Sequence, residues 1–217
     1  AATFFGVKTL PQPTVTRELL KKFTADETKK DANHKSLRHM DLAMDLVPTE
    51  ESAVVDFATH LLTLLGYLPR DRVARTRSDI LLEICDEKRH AKTDVCIMDS
   101  KDILLFVQED KRNKEIKDPE PQEINRMQQL RGQDPIVHKI IPGIILNGTF
   151  PVFYKVPVTT QLAQAVALGY YPTERTIVDA HPLEIARPDS GLSEGIRPLD
   201  NRKVILSCFE AFKKFVN

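Results

Sequence analysis

Hydrophobic side chains fall along this chain in two periods. Short apolar runs bounded by polar clusters occur at Ile80 to Asp86 (ILLEICD) and twice within Ala91 to Arg112, before and after a turn at Asp99 to Asp102. Runs of this length with β-branched residues read as strands. Polar turns, Glu87-Lys88-Arg89-His90 and Asp99-Ser100-Lys101-Asp102, separate them. A three-strand meander with hairpin connections is therefore expected. Ile140 to Leu146 (IIPGIIL) and Phe150 to Val156 (FPVFYKV) flank Asn147-Gly148-Thr149, a turn sequence, and predict a second hairpin.

The other period is helical. Val54, Phe57, Ala58, Leu61, Leu62 and Leu65 recur at i, i+3, i+4 spacing. Thr49 is a suitable N-cap, Glu50 and Glu51 suit the first turn, where the macrodipole favours acids, and Gly66 closes the run. Pro119 and Pro121 introduce a helix from Gln122 to Arg131, with Ile124, Met127 and Leu130 on one side. Thr159 or Thr160 caps a helix through Gln161 to Leu168, which Gly169 ends. From Asp200 or Asn201 a last helix carries Val204, Ile205, Cys208, Phe209, Phe212 and Phe215 as its buried stripe. A short helix is expected from Thr16 to Phe23, on Leu19, Leu20 and Phe23.

Three segments lack a clear period. Residues 1–14 read as an extended arm, docked through Phe4, Phe5 and Leu10. Thr24 to His39, rich in Lys and Asp, reads as a mobile loop or loosely held helix with a solvated surface. Tyr170 to Leu199 contains Pro172, Pro182, Pro188 and Pro198 and reads as a long surface excursion. The predicted organisation is an arm and short helix over 1–47, then a single α/β domain over 48–217. In that domain a mixed sheet is flanked by helices, in the order helix, three strands, helix, strand.

Composition narrows the class. With 217 residues the chain can bury roughly 70% of its unfolded surface. Lys plus Arg and Asp plus Glu each number 31, so the formal net charge is zero. That excludes a uniformly basic nucleic-acid binder but leaves room for a local basic groove. The three cysteines, Cys85, Cys96 and Cys208, show no zinc-ligand spacing. Buried thiols fit a reducing compartment, so the expected location is intracellular, in cytoplasm or nucleus. No run of 18 apolar residues marks a membrane span, and the opening AATFFGVKTLPQP does not read as a signal peptide.

Candidate chemistry concentrates in AKTDVCIMDSKDILLFVQEDKR, residues 91–112. Asp94 opens the first strand of this hairpin, and Glu109 and Lys111 lie near the end of the second. Residues i and i+2 of a strand share a face, so Glu109 and Lys111 are expected to lie with Ile103, Leu105 and Val107. Pairing of the strands brings Asp94 close to Glu109. Two carboxylates at one sheet end are suitable ligands for Mg²⁺ or Mn²⁺, and a neighbouring lysine would orient or deprotonate water. Basic residues flank the site: Arg70, Arg72, Arg75 and Arg77 on one side, Lys111, Arg112, Lys114 and Lys117 on the other. Non-specific contact with a phosphate backbone suits such charge, and ordinary solvation suits it equally. Gln128 on the second predicted helix is a further candidate contact.

Thr93-Asp94 followed by Glu109-Asp110-Lys111, set in this order of elements, resembles the PD-(D/E)XK nuclease superfamily over about residues 48–156. Thr93 stands where that pattern has proline. More narrowly, LLFVQEDKR, PEPQ and NGTFPVFYKVPVT resemble a fungal group of PD-(D/E)XK-like proteins of unknown role. The resemblance implies a restriction-endonuclease-like αβββαβ core and metal-dependent hydrolysis of phosphodiester bonds in DNA or RNA. Asp94 and Glu109 would bind metal, Lys111 would assist water, and Glu51 would be an auxiliary carboxylate. It admits a homodimer. The alternative is a catalytically inactive member that serves as a nucleic-acid or protein binding module.

Overall fold

The structure is a computed structural model that describes residues 2–45, 52–84, 87–100, 102–109, 138–183, 185 and 194–216. Six strands form one sheet in the order β1-β2-β3-β4-β5-β6. They are β1 (Val73–Ile84), β2 (Glu87–Met98), β3 (Ile103–Glu109), β4 (His138–Asn147), β5 (Phe150–Thr159) and β6 (Asp179–Pro182). All neighbours are antiparallel except β3 and β4, which run parallel. The protein is thus an α/β fold with a mostly antiparallel central sheet and helices on its faces.

The expected meander and second hairpin are present. Ile84 pairs with Glu87, so β2 begins inside what the sequence suggested was a four-residue turn. Asp99 and Asp102 close the next turn, with the Asp99 N–H donating to the Asp102 carbonyl at 3.0 Å. Asn147 pairs with Phe150 around Gly148, whose φ of 56° is the left-handed conformation this turn requires.

One sheet face carries the main core. Val95, Ile97, Leu105, Val107, Ile144, Leu146 and Phe153 pack there against α3 (Ser52–Leu64) and α5 (Leu199–Phe212). The stripe Val54, Phe57, Ala58, Leu61 and Leu62 of α3 is buried, as its spacing predicts. Gly66, with a φ of 75°, terminates that helix. The Tyr67 hydroxyl donates to the Phe209 carbonyl at 2.5 Å and ties the α3 exit to α5. Burial pushes the Tyr67 phenol well above its ordinary range. On the opposite face α4 (Thr160–Leu168) covers Ile141, Val156 and Val158 with Leu162. Thr159 caps α4 by accepting the Leu162 N–H, and Gly169 ends it in the left-handed region.

Four segments depart from expectation. Residues 1–14 are not wholly extended: α1 (Ala2–Phe5) is helical and buries Phe5 completely. No helix forms over 16–23. Thr16 Oγ1 takes the Leu19 N–H and the Glu18 carbonyl takes the Lys22 N–H at 2.9 Å, which closes a turn that does not continue, and Phe23 stays 58% exposed. The polar stretch from Thr24 forms the helix of its two expected readings, α2 (Asp31–Met44), but one face of that helix is packed into the body and not solvated. Leu37, Met40 and Ala43 give α2 a thin apolar stripe, and buried Asn33 and Ser36 extend it because they are hydrogen-bonded. In the excursion after α4, β6 adds an edge strand to β5, and Leu183, Ile185 and Ile196 join the main core. An edge strand accommodates Pro182, which cannot donate to a ladder. The expected helix at 122–131 lies outside the described residues.

The N-terminal segment is bound into this body. Buried Arg202 donates to the carbonyls of Leu19, Lys22, Ile196 and Arg197. Burial pushes the Arg202 guanidinium down to about 10, so it stays charged at neutral pH.

Candidate active site

The β2–β3 ladder runs from Met98↔Ile103 at the turn to Val95↔Val107, and the strands part just beyond. Asp94 and Glu109 stand at that parting. Glu109 remains paired with β4, opposite Leu146, and Thr93 remains paired with β1, opposite Ser78. Asp94 spans the gap with its side chain. Its Oδ2 accepts the Glu109 backbone N–H at 2.8 Å and the Gln108 Nε2–H at 2.7 Å. The carboxylate thus replaces a ladder partner at the strand end. It is half-buried, and the Oε2 of Glu109 is buried.

The register between β2 and β3 shifts by one residue at Ile97/Met98. Counting straight back from Met98↔Ile103 would set Asp94 opposite Val107, on the face of Glu109. After the shift, Val95 is opposite Val107 and Cys96 opposite Phe106. Alternation then places Asp94 on the Cys96–Phe106 face with Gln108, as their hydrogen bond requires. Glu109 shares the main-core face with Val107 and Leu105. The sequence reading is met for closeness of the Asp94 side chain to the Glu109 backbone. The two side chains leave the sheet on opposite faces. Ile103, expected with Leu105 and Val107, packs instead with Cys96, Phe106 and Met98, another result of the shift.

Ser78 and Thr93, paired across β1–β2, are buried, and Thr93 Oγ1 donates to the Val95 carbonyl at 3.1 Å. Arg77 falls between the pairs Thr76↔Val95 and Ser78↔Thr93, level with Asp94 in the register. Arg75 lies opposite Cys96 and is exposed, its Nη1 3.9 Å from Met98 Sδ. The sequence suggested that Arg75 and Arg77 precede the first strand, but both lie within β1. Small or apolar Ala74, Ser78 and Ile80 alternate with charged Arg75, Arg77 and Asp79 along this edge strand. Charged side chains on an edge also disfavour pairing with another chain.

Glu51, Lys111, Arg112, Lys114 and Gln128 lie outside the described residues. Among the described residues no group of three or more His, Cys, Asp or Glu side chains is placed to hold a metal ion. Cys96 and Cys208 are buried, and burial holds the Cys208 thiol up to about 12.

Gln108 is the residue that sequence reasoning passed over. It lies on the sheet face opposite Glu109 and donates to Asp94, which it orients. The signal was accessible only through the register shift. Lys155 donates to the Phe4 carbonyl at 3.1 Å, pairs with Asp179 at 3.3 Å and lies 4.3 Å from the Phe4 ring centroid. His39 of α2 stacks on the His60 ring at 4.7 Å. Ser36 Oγ lies 2.8 Å from His60 Nε2. Burial is the main cause that pushes the His60 imidazole below its ordinary value, followed by the neighbouring His39 and Lys35.

No protein-family model matches this chain, and no curated protein matches it significantly. Among the described residues no helix is long and apolar enough to cross a membrane.

Proposed function

We propose that this protein is a metal-dependent nuclease that hydrolyses phosphodiester bonds of DNA or RNA at the parting of β2 and β3. The observation that supports the reading most is the hydrogen bond from the Glu109 backbone N–H to the Asp94 carboxylate at that parting. It occurs in a sheet whose first three strands are antiparallel and whose fourth runs parallel to the third. Carboxylate oxygens are the donors that Mg²⁺ or Mn²⁺ prefers. The residues therefore fit such an ion in kind, with Asp94 and Glu109 as ligands and Glu51 as auxiliary. A bound divalent ion supplies charge stabilisation for the phosphoryl group and a more acidic water. Gln108 holds Asp94 in place. Lys111 orients water and moves its proton. Arg75, Arg77, Arg112, Lys114 and Gln128 hold the nucleic-acid backbone. An intracellular location, in cytoplasm or nucleus, belongs to the same reading.

A second reading rests on one specific observation. Asp94 Oδ2 is already engaged by two donors, and Asp94 and Glu109 leave opposite faces of the sheet. A chain that retains the fold and has lost catalysis would bind nucleic acid or protein without cutting.

One experiment separates the two. Purified protein is incubated with Mg²⁺ or Mn²⁺ and plasmid, single-stranded DNA or RNA, beside Asp94→Asn and Lys111→Ala. Metal-dependent cleavage lost in both variants supports the nuclease. Cleavage unchanged in both removes this site. Binding without cleavage, and no calorimetric signal for metal, supports the silent module.

A further inference from the structure

Arg77 has a φ of 50° and is the one non-glycine residue with positive φ among the described residues. That region is disfavoured for a side chain with a Cβ, and glycine or asparagine adopts it more readily. The strained position lies level with Asp94 in the β1–β2 register, between the pairs Thr76↔Val95 and Ser78↔Thr93. Among the described residues no ion pair or side-chain hydrogen bond of Arg77 accounts for the strain. Arg77 is exposed and takes part in none of the ion pairs among the described residues. Asp94, the nearest acid by register, is held by Gln108 and Glu109 instead. An arginine maintained in unfavourable backbone beside a candidate site, with its guanidinium left to solvent, is placed to receive an external anion.

We propose that Arg77 is the phosphate-holding residue of this site, its left-handed backbone retained because it sets the guanidinium beside Asp94. The ligand class is a phosphodiester or phosphomonoester group, which a guanidinium grips with two parallel hydrogen bonds. This deepens the nuclease reading and rests on it only for the location of the reacting phosphate.

The test compares the full chain with Arg77→Gly and Arg77→Lys. Urea unfolding measures stability, and fluorescence anisotropy measures binding of labelled single- and double-stranded oligonucleotides without divalent metal. Calorimetry with inorganic phosphate and a nucleoside monophosphate distinguishes a small phosphate compound from a nucleic acid as the source of the group. Arg77→Gly is expected to unfold at equal or higher urea, because glycine relieves the strain. It is expected to lose about tenfold in affinity for whichever phosphate ligand binds. Arg77→Lys retains the charge without the fork, so its affinity falls between the two and its stability does not rise. Binding within twofold of wild type in Arg77→Gly, or a lower urea midpoint for that variant, overturns the proposal. Wild-type cleavage with an unchanged KM in Arg77→Gly overturns it and leaves the nuclease reading intact. Arg77-dependent binding with no cleavage supports it and removes the nuclease. A wild-type protein that binds neither phosphate nor oligonucleotide removes both.

Discussion

Gly195→Ala is expected to be among the costliest single-atom-group additions in this protein. Gly195 has a φ of 53°, and a Cβ built there would meet Thr149 Oγ1 at 2.1 Å and Met44 Sδ at 2.7 Å. The left-handed conformation alone costs a non-glycine residue roughly 1–2 kcal/mol. Relief of the clash requires Thr149 to move, and Thr149 is fully buried with its Oγ1 accepting the Ile196 N–H at 2.9 Å. Loss of that partner leaves a buried donor unsatisfied, at about 1–3 kcal/mol. Together these give about 2–5 kcal/mol. Gly66→Ala is the control, because Gly66 has a φ of 75° with nothing within 4 Å of the added Cβ. It should show the backbone cost alone, roughly 1–2 kcal/mol. Urea unfolding followed by circular dichroism gives both midpoints. At a slope of about 2 kcal/mol per molar, Gly195→Ala should lose roughly 1–2.5 M and Gly66→Ala under about 1 M. Equal losses in the two variants would refute the reasoning, since the clash and the hydrogen bond would then contribute nothing.

Three further outcomes follow from the same structure. His60 titrates below its ordinary value of 6.5 because the fold buries it beside His39. The unfolded chain therefore takes up a proton at pH values where the fold resists it, and stability falls as pH drops below about 6.5. His60→Gln should flatten that part of a plot of unfolding free energy against pH. Tyr67→Phe removes the donor to the Phe209 carbonyl in a buried site and should cost about 1–3 kcal/mol by denaturant titration, with no effect on nucleic-acid binding. Gln108→Leu takes one of two donors from Asp94, and if the site binds metal its affinity by calorimetry should fall about 10–100-fold, as for other residues that orient ligands.

Strands and helices whose burial is dense were legible from the chain alone. The stripe of α3, the hairpin around Gly148, the cap at Thr159 and the stripe of α5 all follow from local pattern, because each residue's preference agrees with its neighbours'. Elements that rely on buried polar or small residues were not legible. Asn33 and Ser36 of α2 read as solvent-facing until their partners are known. Ala74 and Ser78 of β1 do not signal an inward face, and Asp179–Pro182 becomes a strand only because β5 offers an open edge.

The same division runs through the site. Sequence alone set an acid at the start of one strand and a glutamate near the end of the next, and a short turn between them made their meeting unavoidable. It could not set the face. A plain hairpin counted from the turn puts Asp94 and Glu109 on one side of the sheet. The single-residue irregularity at Ile97/Met98 moves Asp94 to the other side, into the hold of Gln108. Side chains alternate with a period of two, so one extra residue in a ladder reverses every face beyond it. Hydrophobic pattern does not show where that residue falls, because Cys96, Ile97 and Met98 are apolar in succession and either register buries them. Tertiary packing on both faces of the sheet decided it.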